Sequence, residues 1–203
     1  LKQDINENGY QLYQRPISVT KNSKGRYVFV DGRTKDKILN ERKVKNRIVN
    51  LYEICEYIDE VSPQTVIRMN TNGGMRKPEF WEKMGKLFAK KYRSYWSWQI
   101  TFSIDGLADT NHLYRRNVDW NKLVANVKAY IGAGGRAEWD YLIFKHNEHQ
   151  IDEAKALSKE LGFYSFVPKK ALGVDNGTNS VRMAAMTREG KFDYWIDAPV
   201  DPK

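Results

Sequence analysis

The sequence predicts an α/β fold with parallel strands, and three observations carry that expectation. Apolar runs of strand length alternate with helix-length amphipathic stretches of ten to fifteen residues, the order expected of βαβ units. Two of those runs, Val66-Ile67-Arg68-Met69-Asn70 and Ile100-Thr101-Phe102-Ser103-Ile104, break into small polar residues and glycine, at Thr71-Asn72-Gly73-Gly74 and at Asp105-Gly106. Buried parallel strands end this way where a loop must approach a ligand closely. At 203 residues the chain suits one domain with a sizeable core.

Taken in order, residues 1 to about 22 show no period and read as a loosely ordered arm. Arg26-Tyr27-Val28-Phe29-Val30 before Asp31-Gly32 predicts a short strand and a turn. After Thr34, an N-cap residue type, apolar positions from Ile38 to Ile58 fit a long amphipathic helix or helix pair, which Ser62-Pro63 stops. Then follow strand 66–70, helix 78–93, strand 98–104, helix 119–132, strand 137–145, helix 148–161 and strand 163–168. Pro78 suits a first helical turn, Gly132-Ala133-Gly134-Gly135 a helix end, and Asn147 with Gln150 a capping box that Gly162 closes. The segment 193–199 reads as an edge strand near an exposed end.

The net charge of +9 is concentrated. Ten Lys and Arg lie between Lys21 and Arg47 against Asp31, Asp36 and Glu41, a net +7 that leaves about +2 elsewhere. Such a stretch suits a solvated helix face, or a surface that docks the phosphates of nucleic acid with strong salt dependence. No apolar run is long enough to cross a bilayer and the first residues are polar, so a soluble, cytoplasmic protein is expected. Cys55 stands alone, which excludes an internal disulfide and reads as a small buried apolar residue.

Ligands of parallel α/β sheets bind beyond the carboxyl ends of the strands. That rule selects Thr71, Asn72, Gly73 and Gly74, then Ser103, Asp105 and Gly106, then His146 and Asn147, as one mouth. From the pattern alone the alternative stands beside it, that the glycines only turn the chain and Ser103 and Asp105 only cap. His146 with Glu148 and His149 is a weak metal pattern, because H-x-x-H across a strand–helix junction does not place both rings on one face. Lys90 to Trp98 mixes cations with aromatics as single-strand binders do, and a lysine-rich helix end explains it more simply.

The stretch Phe102 to Gly135, with its S-x-D-G strand end followed by His112-Leu113-Tyr114-Arg115-Arg116, resembles the middle of a radical S-adenosylmethionine (radical SAM) enzyme. Thr71-Asn72-Gly73-Gly74 resembles the end of that family's third strand, and residues 137–150 its fifth strand in the SPASM-like, peptide-modifying subgroup. The resemblance spans roughly residues 48–200. It implies a partial (β/α) barrel at 48–203, behind a basic leader at 1–47 with no counterpart. It further implies that Ser103 and Asp105 face the ribose or methionine carboxylate of S-adenosylmethionine, that Arg115 grips a carboxylate with two prongs, and that Thr71, Asn72 and Gly73 border the methionine or substrate side. Arg116 is expected to stay solvated and Tyr114 to pack.

Members of that family hold a four-iron four-sulfur cluster on a CxxxCxxC motif and generate a 5′-deoxyadenosyl radical. One cysteine cannot make that motif, and the polar motif after the family's second strand is also missing. The resemblance therefore implies the cofactor-binding part of an incomplete enzyme, which either remains as an inactive relic or works only with a complementing chain that carries the cluster. A nucleic-acid-binding protein that uses residues 21–47 is the rival expectation.

Overall fold

The computed structural model describes residues 18–21, 27–30, 51–91, 98–170, 182–187 and 189–200. The chain divides into two compact units, Leu1–Thr65 and Val66–Lys203. The expected boundary after residue 47, and nearly all of the basic stretch, lie outside the described residues.

In the first unit, β1 (Ser18–Lys21) pairs antiparallel with β2 (Tyr27–Val30). The second strand was anticipated; the first falls within the expected arm. Helix α1 (Leu51–Val61) buries Cys55 and Ile58, three residues apart on one face. Its end is marked by Ser62, whose N–H donates to the Ile58 carbonyl at 2.9 Å, just before Pro63.

The second unit holds a four-stranded parallel sheet in chain order: β3 (Arg68–Thr71), β4 (Gln99–Ser103), β5 (Ala137–Ile143) and β6 (Ser165–Lys170). Helices α2 (Pro78–Ala89), α4 (Trp120–Gly132) and α5 (Ile151–Glu160) connect them, with the one-turn α3 (Asn111–Tyr114) after β4 and a 3₁₀ turn (Glu148–Gln150) before α5. Among the described residues the sheet is open, with β3 and β6 at its edges; it does not close into a barrel.

Strand alternation decides which face the helices cover. The register sets Thr71 beside Phe102 and Phe102 beside Trp139, so these side chains share one face. On it Phe102 meets Trp81 of α2 at 5.4 Å and Tyr130 of α4 at 5.8 Å between ring centroids, while Trp139 meets Phe163 at 5.2 Å. Helix α2 buries Trp81, Met84, Leu87 and Phe88, and α4 buries Leu123, Asn126, Val127 and Tyr130, each set at helical spacing. Pro78 begins α2, and the Asp119 carboxylate caps α4 by accepting from the Lys122 N–H at 2.6 Å.

The two helices cross at Gly85. A Cβ there would overlap the Tyr130 carbonyl oxygen and lie 2.8 Å from the Ala133 Cβ. Alanine would gain about 1 kcal/mol of helix propensity, but backbone cannot yield as a side-chain tip can. Gly85→Ala is therefore expected to lose about 2 kcal/mol net by overpacking, seen as a lower urea midpoint at unchanged slope.

After β6 the chain returns as a hairpin, β7 (Arg182–Met186) with β8 (Phe192–Asp197). The expected terminal edge strand is thus paired, but in a sheet of its own. Ala185 and Ile196 form a small core with Phe144 from the end of β5, against which Tyr114, Met183 and Tyr194 pack.

Candidate functional site at the strand ends

Each strand-end loop closes first on itself. In the loop after β3, the Gly73 N–H donates to Thr71 Oγ1 and the Gly74 N–H to Asn72 Oδ1, both at 3.1 Å, a Ser/Thr turn running into an Asx turn. Gly73 has a φ of 67°, and a Cβ on it would collide with Leu123 and touch Phe102. Below it the buried Asn126 side chain donates Nδ2 to the Gly73 carbonyl at 2.8 Å and the Met75 carbonyl at 3.2 Å. Thr71 shares the helix-covered face with Phe102, and Asn72 is exposed.

The loop after β4 is organised by Asp105, which is fully buried. Its Oδ1 accepts the Leu142 N–H at 2.6 Å and its Oδ2 accepts Arg115 Nε at 2.5 Å. Its own N–H donates to Asn111 Oδ1 at 2.9 Å, and its carbonyl accepts Asn147 Nδ2 at 3.0 Å. Burial pushes the carboxyl up, while the Arg115 guanidinium and the Leu142 N–H pull it back toward ionisation. The Gly106 φ of 134° lets the chain turn directly under Thr110.

Arg115 is the consequence of that arrangement. Nε is committed to Asp105, and the guanidinium lies over the Tyr114 ring at 5.0 Å. Its two terminal nitrogens bond no described residue, and the side chain is one-quarter exposed. A guanidinium fixed at Nε with both terminal nitrogens available is arranged for two-pronged contact with a carboxylate or phosphate.

The sheet face opposite the helices leads toward this fork and is polar. Residues in register there are Asn70, Thr101 and Ser103, Glu138 and Asp140, then Ser165 and Lys169, with Leu142 and Val167 as its apolar members. Ser165 Oγ donates to Glu138 at 2.7 Å, Thr101 Oγ1 reaches the other Glu138 oxygen at 3.4 Å, and Lys169 pairs with Asp140 at 2.6 Å. Asp140 Oδ1 is shielded from solvent without a hydrogen-bond partner. The half-buried Ser103 stands beside Asp140 in register, and its hydroxyl bonds no described residue.

Ser103, Asp105 and Arg115 all follow β4, with Asp105 fully buried and both its oxygens taken, so that it holds Arg115 and does not face an open site as expected; Thr71, Asn72 and Gly73 form the loop after the neighbouring β3, where Thr71 lies on the opposite, helix-covered face. His146 and Asn147 do not join them as open groups. Asn147 is fully buried, with Nδ2 on the carbonyls of Asp105 and Leu142 and Oδ1 on the Phe144 N–H at 2.7 Å. The expected capping box does not form: Asn147 makes no side-chain cap, and Gln150 instead receives the Leu107 N–H at 3.2 Å and donates to Asp109 at 2.8 Å. Arg116 is exposed, as expected, and also bonds the β7–β8 hairpin. Glu138 and Asp140 were missed by sequence reasoning, although Ala137-Glu138-Trp139-Asp140-Tyr141 alternates strictly and so places both carboxylates on one face.

His146 stacks on Phe144 at 5.2 Å and 11°, with its Nε2 buried and unpartnered. Burial lowers its pKa, and the nearby His112 and His149 lower it further. Below about pH 6.5 the unfolded chain takes the proton first, so stability present at neutral pH is lost as pH falls through the folded value. His146→Phe is expected to shrink the fall in Tm between about pH 7 and pH 5, measured by scanning calorimetry at both values. Among the described residues no group of three or more His, Cys, Asp or Glu is placed to hold a metal.

The cluster of the radical SAM family does not fit this chain. Three thiolates are needed and one cysteine exists, in α1, where burial pushes its thiol up to about 12. Among the described residues no helix is long and apolar enough to cross a membrane.

No family model and no curated protein sequence matches the chain. Among solved structures, SuiB of Streptococcus suis is similar over 63% of this chain and 28% of its own, with 17% identity and a TM-score of 0.45. The chain spans a little over a quarter of the length of that protein. A match at this score carries no weight for family or function.

Proposed function

We propose that the Val66–Lys203 unit is the S-adenosylmethionine-binding part of a radical SAM-type partial (β/α) barrel, and that it works only with a complementing chain or segment that supplies the cluster. The observation that carries this reading is Arg115, fixed through Nε by the buried Asp105 and backed by Tyr114, at the head of a polar sheet face. In this reading the terminal nitrogens of Arg115 take the methionine carboxylate, and Ser103 and Asp140 turn toward the ribose hydroxyls. Asp105 positions Arg115. Thr71, Asn72 and Gly73 shape the rim, with the two glycine N–H groups already satisfied.

Without its strongest anchor the cofactor is expected to bind weakly, at about millimolar Kd or about −4 kcal/mol. Calorimetric titration of S-adenosylmethionine into the full chain tests this, with Arg115→Ala and Asp140→Asn as variants. Loss of measurable binding in Arg115→Ala supports the reading. Equal binding in both variants overturns the site, and no four-iron absorbance is expected after reconstitution with iron and sulfide. The rival, nucleic-acid binding through residues 21–47, rests on charge alone; its test is whether deleting residues 1–47 removes and desalts polyanion affinity.

A further inference from the structure

The segment that carries Arg115 is gripped from two sides, by Asp105 on one and by the β7–β8 hairpin on the other. Tyr194 Oη donates to the Leu113 carbonyl. Arg116 donates Nη1 to the Met186 carbonyl at 2.7 Å and pairs through Nη2 with Asp193 at 2.6 Å, its guanidinium 5.4 Å from the Tyr194 ring centre. Between hairpin and fork stands Tyr114. It lies 4.7 Å from Phe144, whose core includes Ala185 and Ile196 of the hairpin, and it also backs the guanidinium of Arg115.

We propose that the β7–β8 hairpin is a clamp that holds the Arg115 fork in its anion-binding geometry, with Tyr194 and Arg116 as positioning residues, so that hairpin docking and anion binding at Arg115 favour one another. A two-stranded hairpin is marginal alone and gains its order from docking, which gives the molecule an element with docked and undocked states. An anion held by Arg115 favours the docked state, because only there is Tyr114 fixed behind the guanidinium, and linkage makes the effect reciprocal. The clamp rests on the reading of Arg115 as an anion fork, but its mechanical half can be measured without a ligand.

The experiment is NMR on the full chain, following hydrogen exchange at Arg115 Nε–H and at the β7–β8 amides, with and without S-adenosylmethionine. In the double variant Tyr194→Phe/Asp193→Ala, and in Ile196→Asp as a stronger means of undocking, both sets are expected to exchange about tenfold faster. The swap Arg116→Asp/Asp193→Arg is expected to restore protection that Asp193→Ala alone loses. Hairpin amides that lose protection while Arg115 Nε–H keeps its rate would overturn the clamp. Added S-adenosylmethionine is expected to slow hairpin exchange; ligand that binds without doing so overturns the reciprocal half. Absence of any binding sinks the proposed function instead, and the clamp then stands or falls on Arg115 Nε–H alone.

Discussion

Asp105→Ala is expected to be the most damaging single change in the Val66–Lys203 unit, at about 3–5 kcal/mol of stability. The magnitude follows from what the carboxylate leaves behind. Leu142 would keep a part-buried N–H with no acceptor, and Arg115 would lose the carboxylate that, among the described residues, neutralises it. Removing one partner of a buried pair costs far more than the pair contributes, because the survivor bears its desolvation alone. Urea unfolding should show a large fall in midpoint at unchanged slope. Asp105→Asn is expected to fall between the two, since an amide oxygen can still accept the Leu142 N–H but carries no charge for Arg115. A drop below about 1 kcal/mol in Asp105→Ala would mean that solvent reaches the site and that Asp105 does not organise it.

Asn147→Ala is expected to cost about 3 kcal/mol, by a different route. No charge is exposed, but three backbone groups at the ends of β4 and β5 lose their partner together: the carbonyls of Asp105 and Leu142 and the N–H of Phe144. The cavity left by a fully buried side chain adds to that. Asp105 and Asn147 share the Asp105–Leu142 junction, so the two losses should not sum. A double-mutant cycle read by urea midpoint is expected to give a coupling of about 1 kcal/mol or more. Additive losses would separate the two residues into independent sites.

The parallel sheet was legible because burial on the helix side writes itself as alternation, as in Ala137, Trp139, Tyr141 and Ile143, and because Pro78, Gly134 and Gly162 punctuate the helices. Helix starts were legible wherever a cap is local. The capping box at Asn147 failed because its Oδ1 is taken by the Phe144 N–H and because Gln150 is drawn to Leu107 and Asp109 on a loop about forty residues earlier, a long-range competitor that spacing cannot show. Asp105 and Arg115 were legible as a pair of interesting residues, but not as each other's partners, since ten residues of loop separate them. Nothing in the local pattern of Arg182 to Met186 announced a strand; its pairing with β8 comes from the small core around Phe144.

One feature of β6 bears on behaviour in concentrated solution. Among the described residues β6 ends the sheet with no strand on its outer side, the position through which separate molecules associate strand to strand. Strand β6 carries Pro168, which has no N–H to give a passing strand, and ends in the exposed Lys169 and Lys170, whose like charges repel a second copy. Strand β3, at the other edge, carries the exposed Arg68 and is only four residues long. Replacing Pro168, Lys169 and Lys170 with apolar strand formers would remove these barriers together and is expected to make the protein associate through β6.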